Sequence, residues 1–383
     1  MDPKTAWEPY RPTAQRPWTP ALAAHLLRRA TFGFNRAQLD QAISSGPQQT
    51  VDRLFAAPPS LPSFNAQIDA FAAPLLTSEE SGSQECAQLW LYRIMNTPFP
   101  LQEKATLFWH DYFAIAGRSA LMENHLRLLR RNALGRFDAL LLDLSRDPAT
   151  ILGCGFADAL FGRYTGGSAT PANASRAFTG YGVLRNRFHY QPEDHLSNIS
   201  GDDAVKSALA QPNTAPYVVT RLYRWLISET TPPAGALIKP LADAFARDFD
   251  IGRTVATILR SNLFFSPEAI RQRLKSPLEF ALNLTSAFQT TVAPASLYPQ
   301  LANLGQRLAA PPSREGWAGG RAWLNAFTVM RRANLAHTIL AKVENYPVRR
   351  QILELLLQSD SSPQSDGAEL ALALAASPEF QLA

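Results

Sequence analysis

The sequence predicts an all-α fold: one large domain of many helices, with a long irregular insertion and at most a short β-hairpin. Apolar residues recur at spacings of three and four along most of the chain, as they do on the buried face of a helix. Prolines and N-capping residues begin several of these segments, and glycines end some of them. Of the 383 residues, 46% are hydrophobic and 18% are charged. This composition supplies a substantial core and excludes disorder throughout the chain.

The elements in the first half of the chain are short helices with one apolar face. Thr19 is a suitable N-cap for the first of them, because Pro20 follows at the first helical position. Gly135 is placed to end a later helix as its C-cap. The helices predicted in this half lie at residues 20–30, 34–44, 47–55, 83–95, 100–114, 121–134 and 137–144.

Residues 153–202 differ from the rest of the chain. This window holds eight glycines and mixes aromatic with turn-forming residues, so we expect a long loop with one or two short helices. Residues 182–188 within it suggest a short hairpin arm. Beyond the window, helices are predicted at residues 203–209, 214–228, 234–249, 254–260, 277–289, 322–340, 349–358 and 367–376.

We predict a chain of three parts: an extended arm at 1–19, a helical domain at 20–340 with the insertion at about 153–202, and an extension of short helices at 341–383. No apolar run approaches the roughly 18 residues of a membrane helix, so no membrane span is expected. As written, the chain begins without a secretory signal peptide, which predicts a cytoplasmic protein. The net charge of +5 is spread along the chain and does not favour a nucleic-acid partner.

Seven segments, taken in order, carry a family resemblance. They are HLLRRATFGF (25–34), LFWHDYFA (107–114), RRNALGRFDALLLDLSRDPATIL (130–152), ASRAFTGYG (174–182), RLYRWLIS (221–228), KSPLEF (275–280) and LGQRLAAPPSREGWAGGRAWLN (304–325). Together they resemble the bacterial family named domain of unknown function 1800, over roughly residues 20–340. The resemblance implies a large helical protein, usually exported and often accompanied by a sulfatase-like companion protein. It implies no general activity.

One segment departs from the family pattern. Typical members carry a stretch similar to Asn-Glu-Asn-Phe-Ala-Arg-Glu-Leu-Leu-Glu-Leu-His-Thr-Leu-Gly, which matches FADALFGRYTGG at 156–167 here. Two of its carboxylates and its histidine fall on Ala159, Gly162 and Tyr164. Alanine cannot bind a hard cation or move a proton. The departure therefore predicts a non-catalytic or catalytically degenerate binding or scaffold protein.

A polar cluster supports an alternative function. The sequence HYQPEDH places His189, Asp194 and His195 within seven residues, and imidazole and carboxylate groups are ligands for Zn²⁺ or a similar metal. With His110 they would form the centre of a metal-dependent hydrolase or oxidoreductase. The structural alternative is a solvated loop, with His110 packed among aromatic residues of its own helix and hydrogen-bonded to a backbone carbonyl.

The segment PPSREGWAGGRAWLN provides the second candidate site. Trp317 and Trp323 stand among three glycines, together with Arg314 and Arg321. This composition is typical of an aromatic-lined loop that holds a polar or sugar-like ligand, and tryptophan and arginine also anchor protein partners. In the structural alternative the two tryptophans fill the helical core.

Overall fold

The first half of the chain forms ten helices in the part that the structure describes. This computed structural model describes residues 2–77, 83–117, 119–167, 170–171, 173–347, 351, 356 and 367–383. The helices of the first half are α1 (Pro3–Ala6), α2 (Pro20–Ala30), α3 (Arg36–Phe55), α4 (Leu61–Thr77), α5 (Ser83–Asn96), α6 (Pro100–Phe113), α7 (Ser119–Asn132), α8 (Phe137–Ser145), α9 (Pro148–Gly153) and α10 (Phe156–Ala159).

The second half is also helical. It contains α11 (Gly201–Leu209), α12 (Thr214–Leu226), α13 (Gly235–Phe245), α14 (Ile251–Arg260), α15 (Pro277–Ala287), α16 (Pro294–Asn303), α17 (Ala326–Leu340) and α18 (Gly367–Ala376). The all-α prediction is thereby confirmed. None of the helices in the described ranges is long and apolar enough to cross a membrane.

The irregular insertion contains the sheet of the described structure, a two-stranded hairpin. Strand β1 (Tyr181–Leu184) pairs antiparallel with β2 (Arg187–Tyr190), with Gly182 opposite His189. Arg185 and Asn186 form the turn, and both have positive φ, as a tight hairpin turn requires. The hairpin suggested at 182–188 is therefore present and slightly longer. A π-helical turn at Leu160–Tyr164 precedes it.

Several predicted boundaries need correction. The helices predicted at 34–44 and 47–55 are continuous except at Gly46, whose φ of +76° breaks α3. The sequence patterns did not predict α4 or α16, which contain Pro74 and Pro299 in their interiors. Proline removes a backbone donor and normally argues against a helix interior. Except for residues 351 and 356, the helix predicted at 349–358 lies outside the described residues.

Two helices lie at the centre of the molecule. In α15 every residue except Ser286 is buried, as expected for a helix surrounded by others. Helix α6 buries Trp109 and Phe113, and its Lys104 pairs with Glu279 of α15 at 3.0 Å. Helix α7 packs against α4, α5, α6, α8 and α9, and α17 packs between α15 and α18. This arrangement places one end of α6 beside α12 and the segment before α15.

The N-terminal segment packs against the helices. Tyr10 is buried, its backbone N–H donates to the Arg260 carbonyl, and the Trp7 indole donates to the Leu237 carbonyl at 2.7 Å. At the other end, α18 contacts α17, and Lys275 Nζ donates to the Phe380 carbonyl. The division at residues 19 and 340 stays a prediction.

Candidate ligand-binding cleft

A cleft of about 710 Å³ opens where α6, α12 and the loop of residues 313–323 meet. Helix α6 contributes Phe108 and Asp111 to its wall. An adjoining pocket of about 110 Å³ shares part of this wall and continues inward to Lys104 and Glu279. The cleft is lined by Phe108, Asp111, Arg221, Arg224, Trp225, Glu229, Thr230, Arg273, Glu315, Trp317, Ala318, Gly319, Gly320 and Arg321.

Stacked aromatic rings form the apolar part of the cleft. Phe108 lies nearly parallel to Trp225, with ring centroids 4.7 Å apart and an interplanar angle of 22°. Both side chains are only partly buried, and both line the cleft. Trp317 adds a third aromatic side chain from the opposite loop. A flat apolar group in the cleft therefore has aromatic surface to pack against.

The loop is held to α6 through its backbone. The N–H of Trp317 donates to Oδ1 of Asp111 at 2.7 Å. Gly316, just before it, has a φ of +79°, and a Cβ at this position would lie 2.2 Å from Asp111 Oδ1. Only glycine permits both this backbone conformation and this close approach.

Charged side chains form the polar part. Arg273 Nε donates to Glu229 Oε1 at 2.7 Å, and its Nη1 lies 3.7 Å from Glu279. Burial alone would raise the pKa of Glu279, but the charges of Lys104 and Arg273 lower it to about 2. Burial lowers the pKa of Lys104 to about 8, and the attraction of Glu279 opposes this shift. The inner end of the cleft is thus a buried network of paired charges.

Positive charge exceeds negative charge in and behind the cleft. Four arginines and three acidic residues line it. The guanidinium of Arg29 lies near enough to Arg273, Glu229 and Glu279 for their charges to influence its pKa, which burial lowers well below the ordinary arginine value. A cleft with excess positive charge at low dielectric attracts anions.

Asp111 is a carboxyl of the cleft wall whose pKa is raised. Burial raises its pKa to about 6, although the Trp317 N–H and the nearby Arg221 and Arg273 lower it. A carboxyl with this pKa exchanges its proton near neutral pH. Its charge in the cleft therefore depends on conditions close to physiological.

Three polar atoms at the base of the cleft have no hydrogen-bond partner among the described residues. They are Glu229 Oε2, Arg273 Nη1 and Trp317 Nε1, and all three are buried. An unpaired buried donor or acceptor costs about 1–3 kcal/mol. A ligand or a water molecule at the base would find these three polar atoms without a partner among the described residues.

Three of the four residues predicted for the loop site line the cleft or its inner pocket, and the fourth does not. Trp317 and Arg321 line the cleft, and Trp323 lines the inner pocket. Both tryptophans are 8% exposed, so they also contribute to the core, as the structural alternative expected. Arg314 is exposed and lies outside the lining, and its carbonyl accepts a hydrogen bond from Arg163.

The residues predicted as metal ligands lie in different environments. His189 and Asp194 are exposed in the insertion, and His195 Nδ1 lies 3.0 Å from the Thr179 carbonyl. His110 is fully buried in α6. Within the described ranges, no three or more His, Cys, Asp or Glu side chains form a group that could hold a metal. The structure thus does not assemble these four residues into such a group, and metal binding by them stays a prediction.

The expected environment of His110 also needs correction. Neither of its ring nitrogens has a hydrogen-bond partner in the described structure, so the expected bond to a carbonyl is not formed. Its ring neighbours are Trp90, His125 and Trp317, which come from other elements of the chain. Burial, and then the neighbouring His125, lowers the pKa of His110 to about 3.

Among the charged residues that line the cleft, only Arg321 was predicted from the sequence. Asp111, Arg221 and Arg224 lie in segments 107–114 and 221–228, which carry the family resemblance. These segments and 304–325 are far apart in sequence, yet all three line the cleft. Arg273, just before the segment KSPLEF, completes it. The segments that carry the family resemblance therefore contained most of the cleft residues. Nothing in a single sequence showed that these segments meet in the folded protein.

Comparison with protein families agrees with the resemblance. The family described as a protein of unknown function, DUF1800, matches residues 25–152 and 172–382. The chain belongs to the DUF1800 family. Every residue that lines the cleft of this DUF1800 protein lies within the matched ranges. No curated protein and no solved structure matches the chain.

The family match is interrupted where the sequence departs from the pattern. The gap between residues 152 and 172 contains Ala159, Gly162 and Tyr164. Ala159 and Tyr164 are buried. The Tyr164 hydroxyl donates to the Phe113 carbonyl at 3.2 Å, and the Tyr164 carbonyl accepts from the Tyr112 hydroxyl at 2.6 Å. In this DUF1800 protein the segment therefore contributes to packing around α6.

Proposed function

We propose that this DUF1800 protein is a non-catalytic binding protein and that its cleft holds a small anionic ligand with a flat apolar part. The observation that carries the proposal is the juxtaposition of four arginines with the Phe108–Trp225 stack in one cleft of about 710 Å³. Pockets for small molecules commonly have this size, with apolar walls and a few polar groups that orient the ligand.

The polar end of the cleft suits a carboxylate or a phosphate. Guanidinium groups bind these anions through paired charge-assisted hydrogen bonds. Arg224 and Arg321 are exposed on the lining, while Arg273 is paired with Glu229 at the base. An anion is thus attracted at the surface of the cleft and approaches a base whose donors are incompletely paired.

The aromatic part selects the shape of the ligand. The Phe108–Trp225 stack and Trp317 offer flat surfaces to a ring, and stacking on such surfaces contributes about 0.5–1.5 kcal/mol beyond area burial. A free inorganic anion would not use this surface. We therefore expect an aryl phosphate to bind more tightly than inorganic phosphate.

Isothermal titration calorimetry with phenyl phosphate, inorganic phosphate and neutral benzyl alcohol tests the proposal. The order of affinity expected is phenyl phosphate, then inorganic phosphate, then benzyl alcohol. Arg224→Ala and Arg321→Ala should each weaken phenyl phosphate binding about tenfold, since a hydrogen bond to a charged group contributes about 1.5–3 kcal/mol. Arg247, exposed after α13 and outside the cleft, supplies the control Arg247→Ala. Equal affinity in all four proteins would contradict the proposal.

The metal-dependent enzyme is the second candidate from the sequence. It requires His110 to act with His189, Asp194 and His195. The burial of His110 and the exposure of His189 and Asp194 favour the binding function over it. Metal analysis of the purified protein tests this choice, because stoichiometric metal that is lost in His189→Ala or His195→Ala would support the enzyme.

A companion protein of the sulfatase-like kind is the partner that the family resemblance implies. Phe327, Val329 and Met330 at the start of α17 are exposed, and they follow the 313–323 loop closely in sequence. A scaffold function would use this apolar surface together with the loop. Co-purification of the companion with the wild type, and its loss in Phe327→Ala, would support that function, whereas unchanged co-purification would count against it.

A further inference from the structure

Two buried histidines lie side by side near the base of the 313–323 loop. His110 of α6 and His125 of α7 are both fully inaccessible to solvent. Their ring centroids are 6.2 Å apart, and the planes are inclined by 64°. Trp90 and Trp317 contact His110 from other directions, with centroid distances of 5.1 Å and 5.7 Å. The pair is separate from the arginines of the cleft.

A carboxylate orients one of the two rings. Nδ1 of His125 lies 2.8 Å from Oδ2 of Asp147. The same oxygen accepts hydrogen bonds from the backbone N–H and the hydroxyl of Thr150, at 2.9 Å and 2.8 Å. An ionised carboxylate only accepts hydrogen bonds, so Nδ1 of His125 is the donor and carries the proton. Nε2 of His125 then keeps its lone pair.

The remaining ring nitrogens of the pair have no hydrogen-bond partner. These atoms are Nδ1 and Nε2 of His110 and Nε2 of His125, and the statement covers the described residues only. A neutral imidazole always has one nitrogen with a free lone pair. Leaving three buried polar atoms unpaired in one place is costly, at about 1–3 kcal/mol each. These three nitrogens therefore have hydrogen-bonding or ligand capacity that the described residues do not use.

We propose that His110 and His125 bind one Cu(I) ion between them. Metal–imidazole bonds are about 2.0 Å long, and the nitrogen lies roughly 1 Å from the ring centroid, so two imidazoles on opposite sides of one ion, in a linear arrangement, have centroids roughly 6 Å apart. The observed separation of 6.2 Å fits this value. The proposal goes beyond the binding function of the cleft and does not depend on it.

The charge and the ligand number favour a univalent ion. Two neutral imidazoles and the Asp147 carboxylate balance a single positive charge, which keeps the buried site neutral overall. Zn²⁺ normally takes four ligands, and the described residues provide no group of three or more His, Cys, Asp or Glu side chains that could hold a metal ion. Imidazole is a good ligand for copper, and Cu(I) accepts two-coordinate sites.

Asp147 acts as a positioning residue in this site. Histidine ligands in metal sites commonly donate their second N–H to a carboxylate, which fixes the ring and raises its basicity. Loss of such a carboxylate typically lowers metal affinity 10- to 100-fold. Asp147→Asn removes the charge and replaces one oxygen with an NH2 group, but it keeps an acceptor oxygen for the N-terminus of α9, so it tests this role with little risk to the fold.

The experiment is an anaerobic titration of the full chain with Cu(I) against a chromophoric Cu(I) chelator. We expect one tightly bound equivalent in the wild type, its loss in His110→Phe and in His125→Phe, and an affinity lowered 10- to 100-fold in Asp147→Asn. The double variant His189→Ala/His195→Ala is the control and should bind Cu(I) like the wild type. Thermal unfolding of each variant verifies that it is folded.

X-ray absorption on the copper-loaded wild type provides a test that needs no variant. Two nitrogen ligands at about 2 Å are expected. Absence of Cu(I) uptake by the wild type would overturn the proposal. Uptake that survives both phenylalanine variants but disappears in the His189/His195 control would overturn it as well and would place the metal in the insertion. Neither result bears on phenyl phosphate binding in the cleft.

Discussion

The backbone N–H of Trp317 donates a hydrogen bond of 2.7 Å to the carboxyl group of Asp111, 206 positions earlier in the chain. This bond ties the 313–323 loop to α6 and brings an aromatic side chain into the wall of a charged cleft. It also depends on the glycine that precedes Trp317. The loop geometry, the acidity of Asp111 and the shape of the cleft are therefore linked.

Gly316→Ala should destabilise the protein because it strains the backbone of the loop and also crowds the Asp111 carboxyl group. An alanine there has unfavourable positive φ, and its Cβ would lie 2.2 Å from Asp111 Oδ1. Gly319→Ala is the matched control, since Gly319 also has positive φ but meets its nearest neighbour at 3.9 Å. Urea denaturation should show that Gly316→Ala lowers the free energy of unfolding by at least about 1 kcal/mol more than Gly319→Ala. Equal losses of unfolding free energy in the two variants would contradict the close approach of Gly316 to Asp111.

The raised pKa of Asp111 predicts a particular dependence of stability on pH. Between about pH 4 and pH 6 the folded protein keeps the Asp111 proton and the unfolded chain loses it. The free energy of unfolding should therefore decrease as pH rises through this window, by at most about 3 kcal/mol, and change no further above it. Asp111→Asn should remove this contribution. Wild-type and Asp111→Asn curves that run parallel from pH 4 to pH 7 would contradict the prediction.

Glu103 should be one of the most sensitive carboxylates in the protein. It is completely buried in α6 and pairs with Arg93 at 2.5 Å and with Arg130. Glu103→Gln leaves two buried guanidinium groups without their counter-charge and should cost about 3–5 kcal/mol of unfolding free energy. Asp40→Asn, which breaks the exposed Arg36–Asp40 pair, should cost less than about 1 kcal/mol. Denaturation of the two variants at pH 7 measures the difference, and losses of similar size would be inconsistent with a buried network.

Restoring the family carboxylates should lower stability strongly at one position and little at the other. Ala159 is buried, so Ala159→Glu introduces an unpaired buried charge and should destabilise the protein by about 3 kcal/mol or more. A Cβ at Gly162 meets nothing within 4 Å, and Gly162→Glu should change the free energy of unfolding by less than about 1 kcal/mol. Thermal unfolding compares the variants. If Ala159→Glu is as stable as the wild type, the segment has room for the family's acidic pattern.

Much of the fold could be predicted because helices are encoded locally. The capping of α2 by Thr19 and the break of α3 at Gly46 both follow from the properties of single residues and their neighbours. Helices α4 and α16 could not be predicted in the same way, because Pro74 and Pro299 lower the local helical signal and tertiary packing overrides it. Local preference is thus sufficient for most elements, including α13 with its interior Pro240, but it was insufficient for α4 and α16.

The candidate site was predicted only in part. Trp317 and Arg321 were recognisable from their composition and from the glycines around them. Asp111 and Arg273 were not, since an acidic residue on a helix and an arginine in a loop are ordinary features of any sequence. They matter because the fold brings them to partners that are distant in sequence. Asp111 accepts a hydrogen bond from the Trp317 N–H, and Arg273 pairs with Glu229 at the base of the cleft.

The sequence by itself determined the helical class, most helix positions and membership of the DUF1800 family, because periodicity, capping and motif order are properties of the linear chain. Only the tertiary structure decided which polar residues share a site. It placed His110 beside His125 rather than beside the histidines of the insertion, and it brought Asp111 to the 313–323 loop. These contacts join residues on different elements, whose distances depend on how the whole set of helices packs.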